Sequence, residues 1–207
     1  MGKRQQLKPR PSVVLFIGPP LSGKDEMVKH LSQAMAGKDI GGTTRHISVV
    51  KTCGVQGGTI PEEIITELMT DEIRQSMLSR ADLTVINGYP QSFEQAQDLI
   101  RLLQKHGIYR PICVHLAGTY ELLSERLYGH LHGKKDAETT FDEVMDRWEN
   151  YRRSCDSLIP YLRQTTQYVE IDPNPADEKK RKNSLYTFAE IWSLIGHHVT
   201  ELQLVSA

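Results

Sequence analysis

Gly18-Pro19-Pro20-Leu21-Ser22-Gly23-Lys24 follows directly on the continuous apolar run Val13-Val14-Leu15-Phe16-Ile17, and this junction decides the fold. The run reads as a buried parallel strand, hydrophobic on both faces. The segment after it, Lys24 to Ala36, carries Met27, Val28, Leu31, Ala34 and Met35 at helical spacing. A strand, a glycine loop of spacing GxxxxGK and a helix together form a phosphate-binding context. Glycines let backbone N–H groups turn inward around an anion, and the helix N-terminus adds its positive end. Lys24 supplies a cation for the β- and γ-phosphates.

Outward from the loop, short apolar runs alternate with amphipathic stretches. Strands are expected at His46–Val50, Leu83–Ile86, Pro111–Leu116 and Tyr168–Ile171. Helices are expected from Pro61, from the cap Ser92, over Tyr120–Leu127, over Phe141–Leu162 and over Leu185–Ile195. This alternation predicts an α/β fold, with a five-stranded parallel sheet flanked by helices and joined by right-handed crossovers. Val13–Ile17 and Leu83–Ile86, both ending in glycine-bearing loops, are expected to be adjacent central strands.

The 207 residues suit one domain, expected over 12–200, behind a basic, disordered arm at 1–11. A formal net charge of −1 offers no general attraction to nucleic acid or to a membrane surface. No apolar run is long enough to span a bilayer. Three cysteines, Cys53, Cys113 and Cys155, form no CxxC pair, which suits reduced thiols in a cytoplasmic, monomeric protein. No metal site is read from the residues; His130 and His132 lack further ligands nearby.

Asp25 and Glu26 follow the lysine, where a phosphate loop usually presents Ser or Thr to Mg²⁺. They read as N-terminal helix acids that repel a polyphosphate, or as replacement Mg²⁺ ligands, the first being favoured. One like-charge pair about 6 Å apart costs roughly 2.8 kcal/mol at an effective dielectric near 20.

Four stretches resemble the adenylate kinases. GPPLSGKDE at 18–26 is similar to the family's GxPGSGKGT, and Asn87-Gly88-Tyr89-Pro90-Gln91 leading to Gln95-Ala96 is similar to DGFPRTxxQA. Gly58 to Ile64 is similar to GxxVPDEI, and Tyr151 to Tyr161 is similar to the long helix ending in PLIxYY. The resemblance runs from about Val13 to Ile195 and implies the nucleoside monophosphate kinase fold, with a reduced acceptor-binding insert and a short lid at about 128–137. It implies a phosphotransferase moving the γ-phosphoryl of Mg·ATP to a nucleoside monophosphate, with AMP the default acceptor. Lys24, Arg126 and Arg147 would be catalytic, and Gly18 to Glu26 with Arg126 would bind ATP. Ser48, Asn87, Gly88, Tyr89 and Gln95 would bind the acceptor, Gln95 reading its base. Departures favour two other readings. Asn87 stands for the family's aspartate, Gln91 for its arginine, and several lid arginines have no counterpart. One alternative is a degenerate nucleotide- or partner-binding pseudokinase; the other is a kinase for a different small acceptor.

Overall fold

A computed structural model describes residues 12–36, 43–53, 60–79, 81–133, 141–173 and 187–193, with backbone alone described at Val50 and at 129–133. The expected basic arm and the second half of the expected lid lie outside the described residues. In chain order the elements are β1 (Ser12–Ile17), α1 (Lys24–Ala36), β2 (Thr44–Ser48), α2 (Val49–Cys53), α3 (Glu62–Leu78) and β3 (Leu83–Asn87). They continue with α4 (Phe93–Lys105), β4 (Ile112–Leu116), α5 (Tyr120–Gly133), α6 (Phe141–Thr165) and β5 (Gln167–Ile171). A helical segment at 187–193 follows.

All five strands are parallel, in the order β2-β3-β1-β4-β5. The two runs expected to be central neighbours are paired, with Val14 opposite Val85. The alternation of side chains along β1 splits the core into two layers. Val13, Leu15 and Ile17 face Met69 and Ile73 of α3, Leu99 and Leu103 of α4, and Leu158 and Leu162 of α6. Val14 and Phe16 face Met27, Val28 and Leu31 of α1 and Ile191 of the last helical segment. These helices therefore cover the two sides of a sheet that is apolar on both. Among the described residues no helix is long and apolar enough to cross a membrane.

Three boundaries differ from the sequence reading, each for a local reason. The second strand spans 44–48 rather than 46–50, because the Ser48 hydroxyl accepts from Lys51 N–H at 3.2 Å and turns Val49 and Val50 into a helix. The helix expected over 120–127 continues to Gly133, so it carries the first part of the expected lid. The long helix runs on to Thr165, through Pro160. Ser92 does cap α4, its hydroxyl accepting from Gln95 N–H at 3.3 Å.

Leu15 sits at 0% exposure in the middle of β1, whereas Leu78 at the end of α3 is 75% exposed. Leu15→Ala is expected to cost about 2–5 kcal/mol in urea unfolding. Leu78→Ala should change stability by less than about 0.5 kcal/mol.

Candidate functional site: the phosphate loop and the strand ends around it

The loop after β1 is held from three sides. A Cβ on Gly18, whose φ is +145°, would lie 2.5 Å from the Leu116 carbonyl oxygen at the end of β4, so only glycine fits. Leu21 adopts φ +58°, an uncommon conformation for a side chain-bearing residue. It is held there by its carbonyl, which accepts from Arg126 Nη1 of α5 at 2.7 Å. Its side chain also packs beside Leu123 and Leu127 of α5 and Val144 and Trp148 of α6. Arg126 donates its other arm to the Pro173 carbonyl at 3.1 Å, tying the loop to the chain just after β5. Burial lowers the Arg126 pKa from its ordinary value.

Lys24 turns back into this loop. Its Nζ donates to the Gly18 and Pro19 carbonyls at 2.8 and 2.6 Å and lies 3.3 Å from Ser22 Oγ. Burial pulls the ammonium down to about 8, with the Asp25 carboxylate opposing the shift. Pro19 meets Gly118, where a Cβ would come within 3.4 Å of its ring. Pro19, Pro20, Ser22 and Gly23 thus belong to one turn at the sheet's carboxyl edge with the Lys24 cation; the prolines offer no N–H, and the Ser22 N–H donates to the Pro19 carbonyl at 3.3 Å. Ligands of open α/β sheets bind at that edge.

The neighbouring strand ends supply the polar flank. Asn87, 4% exposed at the end of β3, donates from Nδ2 to Asp25 Oδ1 at 2.6 Å, while its Oδ1 is buried without a partner. Asp25 is therefore fixed across the crevice rather than trailing from α1. Glu26 turns along the helix instead, 3.4 Å from His30 Nε2 and 3.7 Å from Lys29 Nζ. On β2, His46 Nδ1 lies 3.0 Å from Lys51 Nζ. The ammonium can only donate, so the ring proton sits on Nε2, which is buried without a partner. Burial first, then Lys51, hold His46 below its ordinary pKa.

Of the residues expected to bind the acceptor, Ser48 and Asn87 are register partners at the ends of β2 and β3, and Gly88 and Tyr89 follow Asn87 directly. Ser48 is buried and serves as the α2 cap. Gly88 has φ +74°, and its N–H donates to the Phe16 carbonyl at 3.0 Å, closing the turn after β3. Gln95 is 2% exposed, and both ends of its amide are engaged: Oε1 accepts from Gln91 N–H at 2.8 Å and Nε2 donates to Thr66 Oγ1 at 3.2 Å. Each end of the amide keeps one unused N–H or lone pair, but at 2% exposure a base can reach them only if the covering residues move. Arg147 is exposed on α6.

Sequence reading missed His115, hidden in the apolar β4 run. The ring is bonded by Tyr168 Oη at Nδ1 and by Tyr151 Oη at Nε2. Glu170 Oε2 accepts from Tyr168 at 2.9 Å and from Arg163 at 2.7 Å. Burial holds His115 below its usual pKa despite Glu170, and Lys24 adds to the lowering. A polar residue next to the end of a short, otherwise apolar strand was the available signal.

The chain is 27% identical to the adenylate kinase of Mycobacterium tuberculosis (strain H37Rv) over 167 residues, 76% of this chain and 89% of that protein. It is 25% identical to the adenylate kinase of Mycobacterium leprae (strain TN) over 158 residues, 72% of this chain and 84% of that one. No protein-family model matches. Among solved structures it superposes on Chaetomium thermophilum Kti12 in complex with ADP-AlF3, with TM-score 0.58 and 15% identity over 88% of this chain and 98% of that one. It also superposes on shikimate kinase from Aquifex aeolicus, with TM-score 0.50 and 14% identity over 90% and 97%. The chain is thus similar to adenylate kinases at 25–27% identity and has the fold of the solved P-loop kinases, and the similarities support a nucleotide-kinase-like activity.

His115 makes stability depend on pH. Its folded pKa is depressed, so its neutral form is favoured by folding, and that contribution is present above the unfolded value of about 6.5. It is lost as pH falls through the folded value. Melting temperature should drop between about pH 7.5 and 5.5, with His46 contributing in the same sense. His115→Asn should melt lower at pH 7.5 yet show a flatter pH profile.

Proposed function

We propose that this chain is a P-loop phosphotransferase that binds Mg·ATP at Gly18–Lys24 and transfers its γ-phosphoryl to a small acceptor, AMP being the acceptor its relatives suggest. The observation that carries the reading is the half-buried Lys24 ammonium, hydrogen-bonded to loop carbonyls and a hydroxyl and to no carboxylate. A triphosphate supplies the anion that such a cation lacks. The loop N–H groups would bind the phosphates, Lys24 would follow the charge at the β,γ-bridge, and Arg126 would keep the loop open beside Pro173 for the base. Exposed Arg147 is the remaining candidate to meet the transferring group.

The site residues also fit the metal. Bound Mg²⁺ would neutralise charge and draw the phosphate oxygens together. Asp25, fixed by Asn87, is a carboxylate at the loop's edge, and carboxylate oxygens suit Mg²⁺. This arrangement favours the metal-ligand reading of Asp25 over simple repulsion, and leaves Glu26 as the helix acid. A second reading, a kinase for an acceptor other than AMP, is favoured by the burial of Gln95 at 2% exposure.

An ADP-release assay with ATP, Mg²⁺ and each common nucleoside monophosphate tests the proposal. Turnover with AMP supports the first reading, and turnover only with another acceptor supports the second. Absence of both ATP binding and ADP release would overturn the proposal. In calorimetry, Lys24→Ala should weaken ATP by at least about tenfold, roughly 1.4 kcal/mol. Asp25→Gly should weaken ATP in the presence of Mg²⁺ and not in its absence; tighter Mg·ATP binding by that variant would restore the repulsion reading.

A further inference from the structure

His115 is 6% exposed, and the hydrogen bonds around it share one direction. Glu170 is a carboxylate and can only accept, so Tyr168 directs its hydroxyl proton to Glu170 Oε2 at 2.9 Å. Tyr168 Oη must then accept from His115 Nδ1. Glu170 Oε2, 3.4 Å from Nδ1, is a second acceptor on that side. Burial keeps the imidazole neutral, with a single N–H, so Nε2 is left to accept, and Tyr151 Oη donates to it. The protons of Tyr151, His115 and Tyr168 therefore all point towards Glu170, whose side chain is 44% exposed and paired with Arg163 at 2.7 Å.

The head of this chain lies beside the phosphate loop. His115 immediately precedes Leu116, whose carbonyl oxygen closes on Gly18. Lys24 is near enough to lower the His115 pKa. Tyr151, half-buried on α6, follows Trp148, which packs beside Leu21 of the loop, and lies one helical turn after Arg147. The remaining titratable neighbours are Cys155, one turn further along α6 and close to the Tyr151 hydroxyl, and Arg163. A phenol that donates to His115 keeps oxygen lone pairs with which to receive a proton.

We propose that Tyr151 accepts the proton of a neutral hydroxyl nucleophile attacking ATP at this site, with His115, backed by Tyr168 and Glu170, as the base behind it. The inference rests on the phosphotransferase reading and favours an acceptor other than AMP. A phosphate monoester, with its second pKa at about 6, attacks through an oxygen already ionised at neutral pH. A hydroxyl must lose a proton as its oxygen bonds to phosphorus. That O–P bond forms, the bond from phosphorus to the β,γ-bridging oxygen breaks, and ADP leaves with the electron pair. The hydroxyl proton passes to Tyr151 as Tyr151's own proton passes to His115 Nε2. The imidazolium so formed is stabilised by the Glu170 carboxylate and by Tyr168, and afterwards loses its extra proton to water.

The test measures ADP release by the full chain with ATP and Mg²⁺ in three arms, with ATP binding followed by calorimetry. The arms are water alone, added adenosine, whose free ribose hydroxyl stands where AMP carries its phosphate, and added AMP. Tyr151→Phe should lower kcat about 10²-fold with water or adenosine. KM for ATP should stay unchanged, as should any release that AMP adds. A rise with adenosine over water identifies an alcohol acceptor; no rise identifies water. Protonated His115 donates at Nε2 and cannot take the proton, so wild-type kcat should fall below about pH 6.5. That acidic limb should vanish in Tyr151→Phe. Tyr168→Phe cuts the link to Glu170 while leaving Tyr151 in place; it should lower kcat severalfold and move the limb to lower pH. Tyr109→Phe, at a tyrosine 62% exposed, should change nothing. Three outcomes overturn the relay alone: ATP bound without ADP release to water or adenosine, kcat and pH limb unchanged in both relay variants, or an equal loss in the AMP arm. Absence of ATP binding as well as ADP release would overturn the phosphotransferase reading and this inference with it.

Discussion

The site depends on one half-buried positive charge that no carboxylate among the described residues touches. Lys24 is drawn into the loop it follows and satisfied by two carbonyls and a hydroxyl, so the loop is folded around its own cation. Burying an ammonium is costly unless donors and geometry are matched. Matching here requires Gly18 pressed against Leu116, Leu21 in its left-handed conformation and Arg126 holding the Leu21 carbonyl. Those three demands fix β4, α5 and the chain after β5 relative to β1. The geometry of the strand ends is, in large part, the set of contacts that keep this lysine wet with oxygen atoms.

Much of this was legible in the residues. The apolar run ending at Gly18, the glycine spacing and the period of Met27, Val28 and Leu31 identify strand, loop and helix locally, and the central pairing of β1 with β3 follows from two equally apolar runs. The Ser92 cap was legible because its partner is three residues away. The Asn87–Asp25 bond was not, since it joins residues 62 positions apart and depends on how the first turn of α1 faces the end of β3. The engagement of Gln95 was hidden for the same reason: Thr66 reaches it only once α3 lies against α4. His115 was overlooked because an apolar strand tolerates one polar residue only if distant partners arrive, and Tyr151 and Tyr168 come from α6 and β5.

The electrostatics divide the carboxyl-edge surroundings into two characters. Around the loop are Lys24 and Arg126. Along α3 and α4, a short distance further in sequence, acids dominate. A nearly neutral chain thus keeps strongly opposed local fields, which net charge conceals. Residue-level placement, rather than composition, determines which ligands each part accepts.

The strand order also carries a consequence for how the protein is made. β1 is the middle strand, yet it is synthesised before either neighbour: Val14 pairs with Val85 and Ile112. Emerging from a ribosome, it is a ribbon apolar on both sides with open edges until β3 and then β4 arrive. Such non-local parallel pairing is slow to form and leaves sticky intermediates. Nascent chains stalled between those two strands would be the natural clients of a cellular chaperone.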